Sequence, residues 1–203
     1  MGKQIYLEKI EALFEKSPVV DFKSLERIIG KTKKSNYAKL LVYNLLKKRK
    51  IKKIGKGIYT RHNEISLAVF SFKPAYLGLQ SALSHYRIWE QETIPVIITT
   101  KKVRRGIRIL MGRNVLLRNI NKKYFFGSEY IKEGNFYLPY SDLEKTFIDM
   151  VVFNQKIDEE ALGKIKKKIN KQKLLNYLKR YPLKIRERVL KLSSDLRGSI
   201  QFC

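Results

Sequence analysis

The pattern of apolar and polar positions at the start of the chain predicts three helices followed by a hairpin. Apolar residues recur at helical spacing over residues 4–16, 22–29 and 37–49. Asp21 is placed to cap the second helix, and Ser35 or Asn36 to cap the third. Two β-prone runs, 51–54 and 58–60, then flank a glycine-bounded turn. This order is typical of a winged helix-turn-helix.

The pattern changes after residue 61. A helix is predicted over residues 75–86, and β-prone runs follow at 94–100, 107–111, 115–120 and 136–138. Their short connections favour a small, mostly antiparallel sheet. Ser141 and Glu144 have the spacing of a capping box and predict a helix through Phe153. Helices at 158–169, 171–180 and 183–194 complete the pattern.

These elements predict an α+β protein with two domains. Residues 1–62 form a winged helix-turn-helix, and residues 63–203 form an α+β domain with a small, mostly antiparallel sheet and C-terminal helices. We expect residues 1–62 and residues 63–203 to fold separately.

Charge gives the first indication of function. The chain has 44 Lys and Arg against 18 Asp and Glu, a net charge of +26, which favours a polyanionic partner. Residues 31–61 alone hold 12 basic residues and no acid, whereas residues 62–153 carry only +5 and residues 154–203 carry +9. A uniformly basic surface is the alternative, but it does not explain this clustering. The charge pattern therefore favours a nucleic acid, DNA or RNA, as the partner, and the winged-helix order of the elements favours double-stranded DNA.

In a winged helix, the third helix enters the major groove and the hairpin lies beside the phosphates. The predicted DNA-binding residues are therefore those of the basic turn, the third helix and the hairpin: Lys33, Lys34, Ser35, Asn36, Tyr37, Lys39, Tyr43, Lys47, Lys52, Lys53, Lys56 and Arg61. A winged helix that docks proteins and an RNA-binding adaptor remain alternatives.

An enzyme, in particular a nuclease, is the other alternative. The carboxylates available for a metal-dependent nuclease are Glu129, Glu133, Asp142, Glu144 and Asp149. Ser84 and His85 are neighbours on one predicted helix and so point about 100° apart, which does not suit a nucleophile and its base. With two histidines and one cysteine the chain lacks metal-ligand spacing. We expect no catalytic residue, no metal and no cofactor.

The chain also lacks the long apolar run of a membrane span and a signal-peptide pattern. We therefore expect a cytoplasmic protein without a membrane partner; the pattern leaves the oligomeric state open.

Three motifs resemble one protein family. Residues 76–86, residues 96–101 followed by Arg104 and Arg105, and residues 142–149, matching at Glu144, Lys145 and Asp149, are similar to the AbiEi-type antitoxins of type IV toxin–antitoxin systems. The resemblance runs over residues 4–153. It implies a transcriptional repressor of its own operon whose second domain opposes a nucleotidyltransferase-fold toxin. Direct contact with that toxin is not implied.

Overall fold

The computed structural model describes residues 2–29 and 35–193. The described residues of its N-terminal region, 2–29 and 35–61, form three helices and three short strands. In chain order these are α1 (Gly2–Lys16), β1 (Val20–Asp21), α2 (Phe22–Ile29), α3 (Ser35–Lys47), β2 (Lys52–Gly55) and β3 (Ile58–Thr60). The strands pair antiparallel in the order β1-β3-β2. The predicted turn at residues 31–34 lies outside the described residues.

Local signals explain how this region folds. Asp21 caps α2, as predicted, because its carboxylate accepts a hydrogen bond from the Ser24 backbone N–H at 2.7 Å. Gly57 has φ +68° in the turn between β2 and β3, a conformation that glycine adopts without strain. The Thr60 hydroxyl donates to the Pro18 carbonyl at 2.6 Å and ties β3 to the segment before β1. The helices and strands enclose a buried core of Ile10, Phe14, Val20, Leu25, Ile29, Ala38, Val42, Leu45, Ile51 and Tyr59.

The C-terminal region, residues 62–193, combines a sheet with helices. After a 3₁₀ helix (Ile65–Phe72) come β4 (Ala75–Leu77), α4 (Gln80–His85), β5 (Val96–Thr99), β6 (Gly106–Leu110), β7 (Arg113–Asn119), β8 (Ser128–Glu133), β9 (Phe136–Ser141), α5 (Leu143–Val152), α6 (Glu159–Lys168), α7 (Lys171–Leu178) and α8 (Leu183–Leu192). A short 3₁₀ helix, Lys122–Tyr124, precedes β8. The whole is a mixed α+β structure.

The sheet is larger than the sequence pattern predicts. Its six strands lie in the order β6-β7-β5-β4-β9-β8, and the pairs β4–β9 and β5–β7 are parallel. The prediction of a small sheet was wrong because β8 was not recognised and β4 was assigned to a helix. Three of its five strand pairings are antiparallel, which confirms the expected mostly antiparallel sheet, although β7 lies between β5 and β6 and so departs from chain order.

The helix predicted over residues 75–86 is also shorter than expected. Ala75–Leu77 is a strand paired on both sides, and the helix begins only at Gln80. Gly78 separates the two, and a Cβ there would lie 2.6 Å from Ile98 Cδ1. A three-residue run buried on both faces has no alternation to distinguish it from a helix, which explains the error.

The two faces of the sheet are covered by different elements. Along β5, Val96 and Ile98 face the core formed with α5 and the C-terminal helices, whereas Ile97 faces the core formed with the 3₁₀ helix Ile65–Phe72. The three predicted C-terminal helices are confirmed as α6, α7 and α8. Within the described part of the chain, no helix is both long and apolar enough to cross a membrane.

The two regions meet at β2. Ile54 of β2 is fully buried in the core beneath the 3₁₀ helix rather than in the N-terminal core. The Ser71 hydroxyl donates to the Ile54 carbonyl at 3.0 Å, and a Cβ on Gly55 would lie 2.5 Å from Ser71 Oγ. Strand β2 also contacts β6 at the edge of the large sheet. The hairpin is thus packed against both regions.

Candidate nucleic-acid interface

Helix α3 has one buried and one exposed face. Ala38, Val42 and Leu45 are buried in the N-terminal core. The residues on the opposite side are exposed and follow helical spacing: Asn36, Lys39, Leu40, Tyr43, Asn44 and Lys47. Tyr43, near the centre of this face, is 59% exposed. The face therefore offers amide, hydroxyl and ammonium groups to a partner.

Within the part of the chain that the structure describes, no acidic side chain compensates the charges on this face. Among the described residues, Lys39 and Lys47 form no ion pair with an acid. The hairpin that follows α3 carries three further lysines, and none of them has an acidic partner among the described residues. Lys52 is half-buried, and Lys53 and Lys56 are exposed. We call these five lysines, together with Asn36 and Tyr43, the α3–hairpin surface.

Two predicted DNA-binding residues are held in contacts with α1 and are not freely exposed beside this surface. Tyr37 is half-buried and contacts the Tyr6 ring edge-on, with 6.2 Å between ring centroids. Arg61 lies 3.8 Å from a Glu11 carboxylate oxygen and 5.3 Å from the centre of the Phe14 ring. Ser35 begins α3. Lys33 and Lys34 lie outside the described residues.

Two residues of the exposed face were missed by the sequence analysis. Leu40, 55% exposed, and Asn44 follow Asn36 at intervals of four residues and share its side of α3. That spacing was the available signal. It was overlooked because neither Leu40 nor Asn44 carries a charge.

A second group of polar side chains is buried in the C-terminal region. Lys145 and Asp149 of α5 are both fully buried and form an ion pair. The Tyr76 hydroxyl donates to the other Asp149 oxygen at 2.7 Å. The Lys145 ammonium also lies 5.6 Å from the centre of the Tyr76 ring and 5.4 Å from that of Phe126. This cluster joins β4 to α5.

Asp142 and Glu144 extend the cluster toward α7. Lys173 lies 3.2 Å from an Asp142 oxygen and 3.0 Å from a Glu144 oxygen. The Tyr177 hydroxyl donates to Asp142 at 2.8 Å, and the Asn170 backbone N–H donates to Glu144 at 2.7 Å. The carboxylates therefore anchor both ends of α7 onto the start of α5.

The predicted capping box is wrong. Asp142 caps α5 by accepting from the Lys145 backbone N–H at 2.8 Å. Ser141 instead belongs to β9, and its hydroxyl forms a hydrogen bond of 2.7 Å with the Thr146 hydroxyl. Asp142, one residue later, accepts a hydrogen bond from a free backbone N–H at the start of α5. Sequence spacing does not distinguish this cap from the predicted one.

Burial shifts the ionisation of this cluster. Loss of water lowers the pKa of Lys145 and raises the pKa of Asp149. Burial, reinforced by the Asp149 charge, raises the pKa of Tyr76 well above its ordinary value. Burial, with the hydrogen bond to Asp142, raises the pKa of Tyr177 to about 12. The arrangement holds helices and sheet together through polar groups that bond to one another.

Two findings bear on the enzyme alternative. Among the described residues, no group of three or more His, Cys, Asp or Glu side chains could hold a metal ion. His85 is half-buried, stacks on Tyr140 with 4.6 Å between ring centroids, and has Nδ1 3.9 Å from a Glu133 oxygen. The sequence did not indicate this neighbouring acid, because Glu133 comes from β8, which was not predicted.

Comparison with known proteins identifies a similar fold. No family model matches the sequence, and no curated protein matches it either. Among solved structures, the chain is similar to the crystal structure of the RV2827C protein from Mycobacterium tuberculosis. The TM-score is 0.63 and the identity 11%, with 93% of this chain and 76% of that chain covered. At that identity, the likeness concerns the fold alone.

Proposed function

We propose that this protein is a double-stranded-DNA-binding transcriptional regulator whose N-terminal region acts as a winged helix-turn-helix. The observation that carries the proposal is the α3–hairpin surface. It combines an exposed helix face with a basic hairpin, and within the described residues its lysines have no acidic partner. A protein retains such a concentration of like charge when a polyanion compensates it.

The chemistry of the surface suits duplex DNA. An exposed helix face can enter the major groove, where Asn36 can bond to adenine edges and Tyr43 can contact bases or sugars. Lys53 and Lys56, on the hairpin beside α3, suit phosphate contacts as point charges. A double-stranded RNA partner is disfavoured because the A-form major groove is too narrow for a helix.

The salt dependence of binding tests this proposal. A fluorescent duplex covering the region upstream of the gene is titrated with protein from 50 to 300 mM salt, and the affinity is measured by anisotropy. If about six phosphates are contacted, log affinity falls with log salt with a slope of about −5. A variant with Lys39, Lys47, Lys53 and Lys56 changed to alanine should lose most of this slope. A wild-type slope near zero contradicts the proposal.

The resemblance to AbiEi-type proteins extends the proposal to a biological role. On that basis the protein represses its own operon and acts as the antitoxin toward a nucleotidyltransferase-fold toxin, without requiring a stable complex with it. Co-expression with the neighbouring gene tests this role. The four-lysine variant should lose repression and still restore growth. If neither the wild type nor the variant restores growth, the proposed antitoxin role is wrong, and only the proposal of a transcriptional regulator stands.

A further inference from the structure

The C-terminal region contains a second basic segment that the overall charge of that region conceals. Residues 93–128 contain nine Lys and Arg and no Asp or Glu. Acids on either side reduce the net charge of residues 62–153 to +5, so averaging hides the segment. Its basic residues are Lys101, Lys102, Arg104, Arg105, Arg108, Arg113, Arg118, Lys122 and Lys123. Most of them belong to the β6–β7 hairpin and the loop before it.

The fold fixes the loop that precedes β6. The Asn119 side chain donates to the Lys101 carbonyl at 3.1 Å and to the Val103 carbonyl at 3.0 Å. Arg108 donates to the Arg104 carbonyl at 3.3 Å. The Arg104 and Arg105 side chains are exposed, and among the described residues neither pairs with an acid. Two exposed guanidinium groups are therefore presented from an anchored backbone.

Arg108 and Arg113 face the side of the sheet where the N-terminal region packs. Arg108 pairs with Val115 across the β6–β7 ladder, and Arg113 lies two residues before Val115. All three therefore share one face. Val115 is buried in the same core as Ile54 of β2.

The two basic surfaces are neighbours in the fold. Strand β2, which contains Lys52 and Lys53, contacts β6, which contains Arg108. The fold thus places two acid-free basic segments, distant in sequence, beside each other. Among the described residues, no ion pair relieves the repulsion between them.

We propose that the β6–β7 hairpin and its preceding loop form a second phosphate-binding surface, which contacts the backbone of the DNA bound by the α3–hairpin surface. Duplex DNA carries about one negative charge per 1.7 Å of helix axis, so a duplex that runs past β2 meets the neighbouring arginines as well. These contacts are independent of sequence, because phosphates carry no base information. The inference rests on the proposed function.

The test uses the full-length protein and a matched control. One variant has Arg104, Arg105 and Arg113 changed to alanine. The control has Lys171, Lys184 and Lys191 changed to alanine, which removes the same charge from exposed positions on α7 and α8. Those helices pack with α5 over the other face of the sheet. Anisotropy with the upstream duplex and with a scrambled duplex of equal length measures affinity and salt slope.

The arginine variant should bind both duplexes about ten-fold more weakly, and its salt slope should be smaller by about 2.7, which corresponds to three lost contacts. The control should stay within about two-fold of the wild type. Replacing the same arginines with lysine should restore binding, which separates loss of charge from loss of folding. If the arginine variant behaves like the control, the inference is wrong while the proposed function stands. If the wild type itself binds no DNA, both fail.

Discussion

The N-terminal and C-terminal regions use lysine in opposite ways. Lys39, Lys47 and Lys53 are exposed and, among the described residues, without an acidic partner. Lys145 is fully buried and paired with Asp149. A buried charge must be compensated inside the protein, because the cost of leaving it unpaired is several kcal/mol. An exposed charge carries no such requirement and remains available to a partner. The contrast therefore separates a structural cluster from a candidate binding surface.

The largest expected effect concerns the buried ion pair between Lys145 and Asp149. Asp149→Ala leaves the Lys145 ammonium buried without its partner and removes the acceptor of the Tyr76 hydroxyl. We expect a loss of about 3–5 kcal/mol in the free energy of unfolding. Urea denaturation followed by circular dichroism measures it.

Lys164 and Glu160 provide the matched control. They form an ion pair at the same i,i+4 spacing, but on the surface, with 75% of the Glu160 side chain exposed. Glu160→Ala should cost far less than Asp149→Ala, because water screens an exposed ion pair. Equal losses for the two variants would mean that burial does not distinguish the two pairs, contrary to the comparison.

The contact between the two regions gives the next effect. A Cβ on Gly55 would lie 2.5 Å from Ser71 Oγ and 2.6 Å from Ser71 Cβ. Gly55→Ala should therefore destabilise the protein by about 1–3 kcal/mol. Because Ser71→Gly removes both clashing atoms, the double variant should be more stable than the sum of the two single changes predicts. Strict additivity in urea denaturation would show that β2 does not pack firmly on the 3₁₀ helix.

The sequence predicted helices with long periodic patterns well, because repeated apolar positions determine which face is buried. Helices α1, α2, α3 and α6 to α8 are confirmed within one or two residues at most ends. The short elements were harder. Ala75–Leu77 is a strand because it pairs with β5 and β9, and both of these strands come from other parts of the chain. The apolar pattern of a short segment does not predict such long-range strand pairing.

The candidate site was predictable to a similar degree. Charge clustering indicated α3 and the hairpin, and helical spacing indicated which side of α3 is exposed. Sequence could not show that Tyr37 packs against Tyr6 or that Arg61 lies against Glu11, because those contacts join α3 and the residue after β3 to α1. Nor could it show that the basic segment at residues 93–128 adjoins β2, since sheet order brings them together.

Base reading and phosphate anchoring should separate within the α3–hairpin surface. Asn36→Ala and Tyr43→Ala remove groups from the exposed face of α3, and we expect each to relax preference by about 1–3 kcal/mol at particular base pairs. Lys53→Ala and Lys56→Ala should weaken binding to all sequences alike. Competition between the upstream duplex and single-base variants measures the difference. The assignment is wrong if both pairs of substitutions change specific and non-specific binding in equal proportion.

The last expected effect is small and concerns Arg61, a predicted DNA-binding residue that contacts α1. Its guanidinium is near the Glu11 carboxylate and the Phe14 ring, and only 29% of its side chain is exposed. A partly exposed ion pair and a partly exposed cation–π contact each contribute about 1 kcal/mol or less. Arg61→Ala should therefore cost about 1 kcal/mol in stability.

DNA binding should respond differently to Arg61→Ala and Lys56→Ala. Lys56 is exposed on the hairpin and has no acidic partner among the described residues. Its removal should lower the salt slope by about 0.9, the value for one lost phosphate contact. Arg61→Ala should leave the slope unchanged and alter affinity less than about two-fold, because its guanidinium is held against the Phe14 ring and against Glu11, which it shares with Lys50. If Arg61→Ala lowers the slope as much as Lys56→Ala does, Arg61 exchanges Glu11 for a phosphate on binding and belongs to the interface.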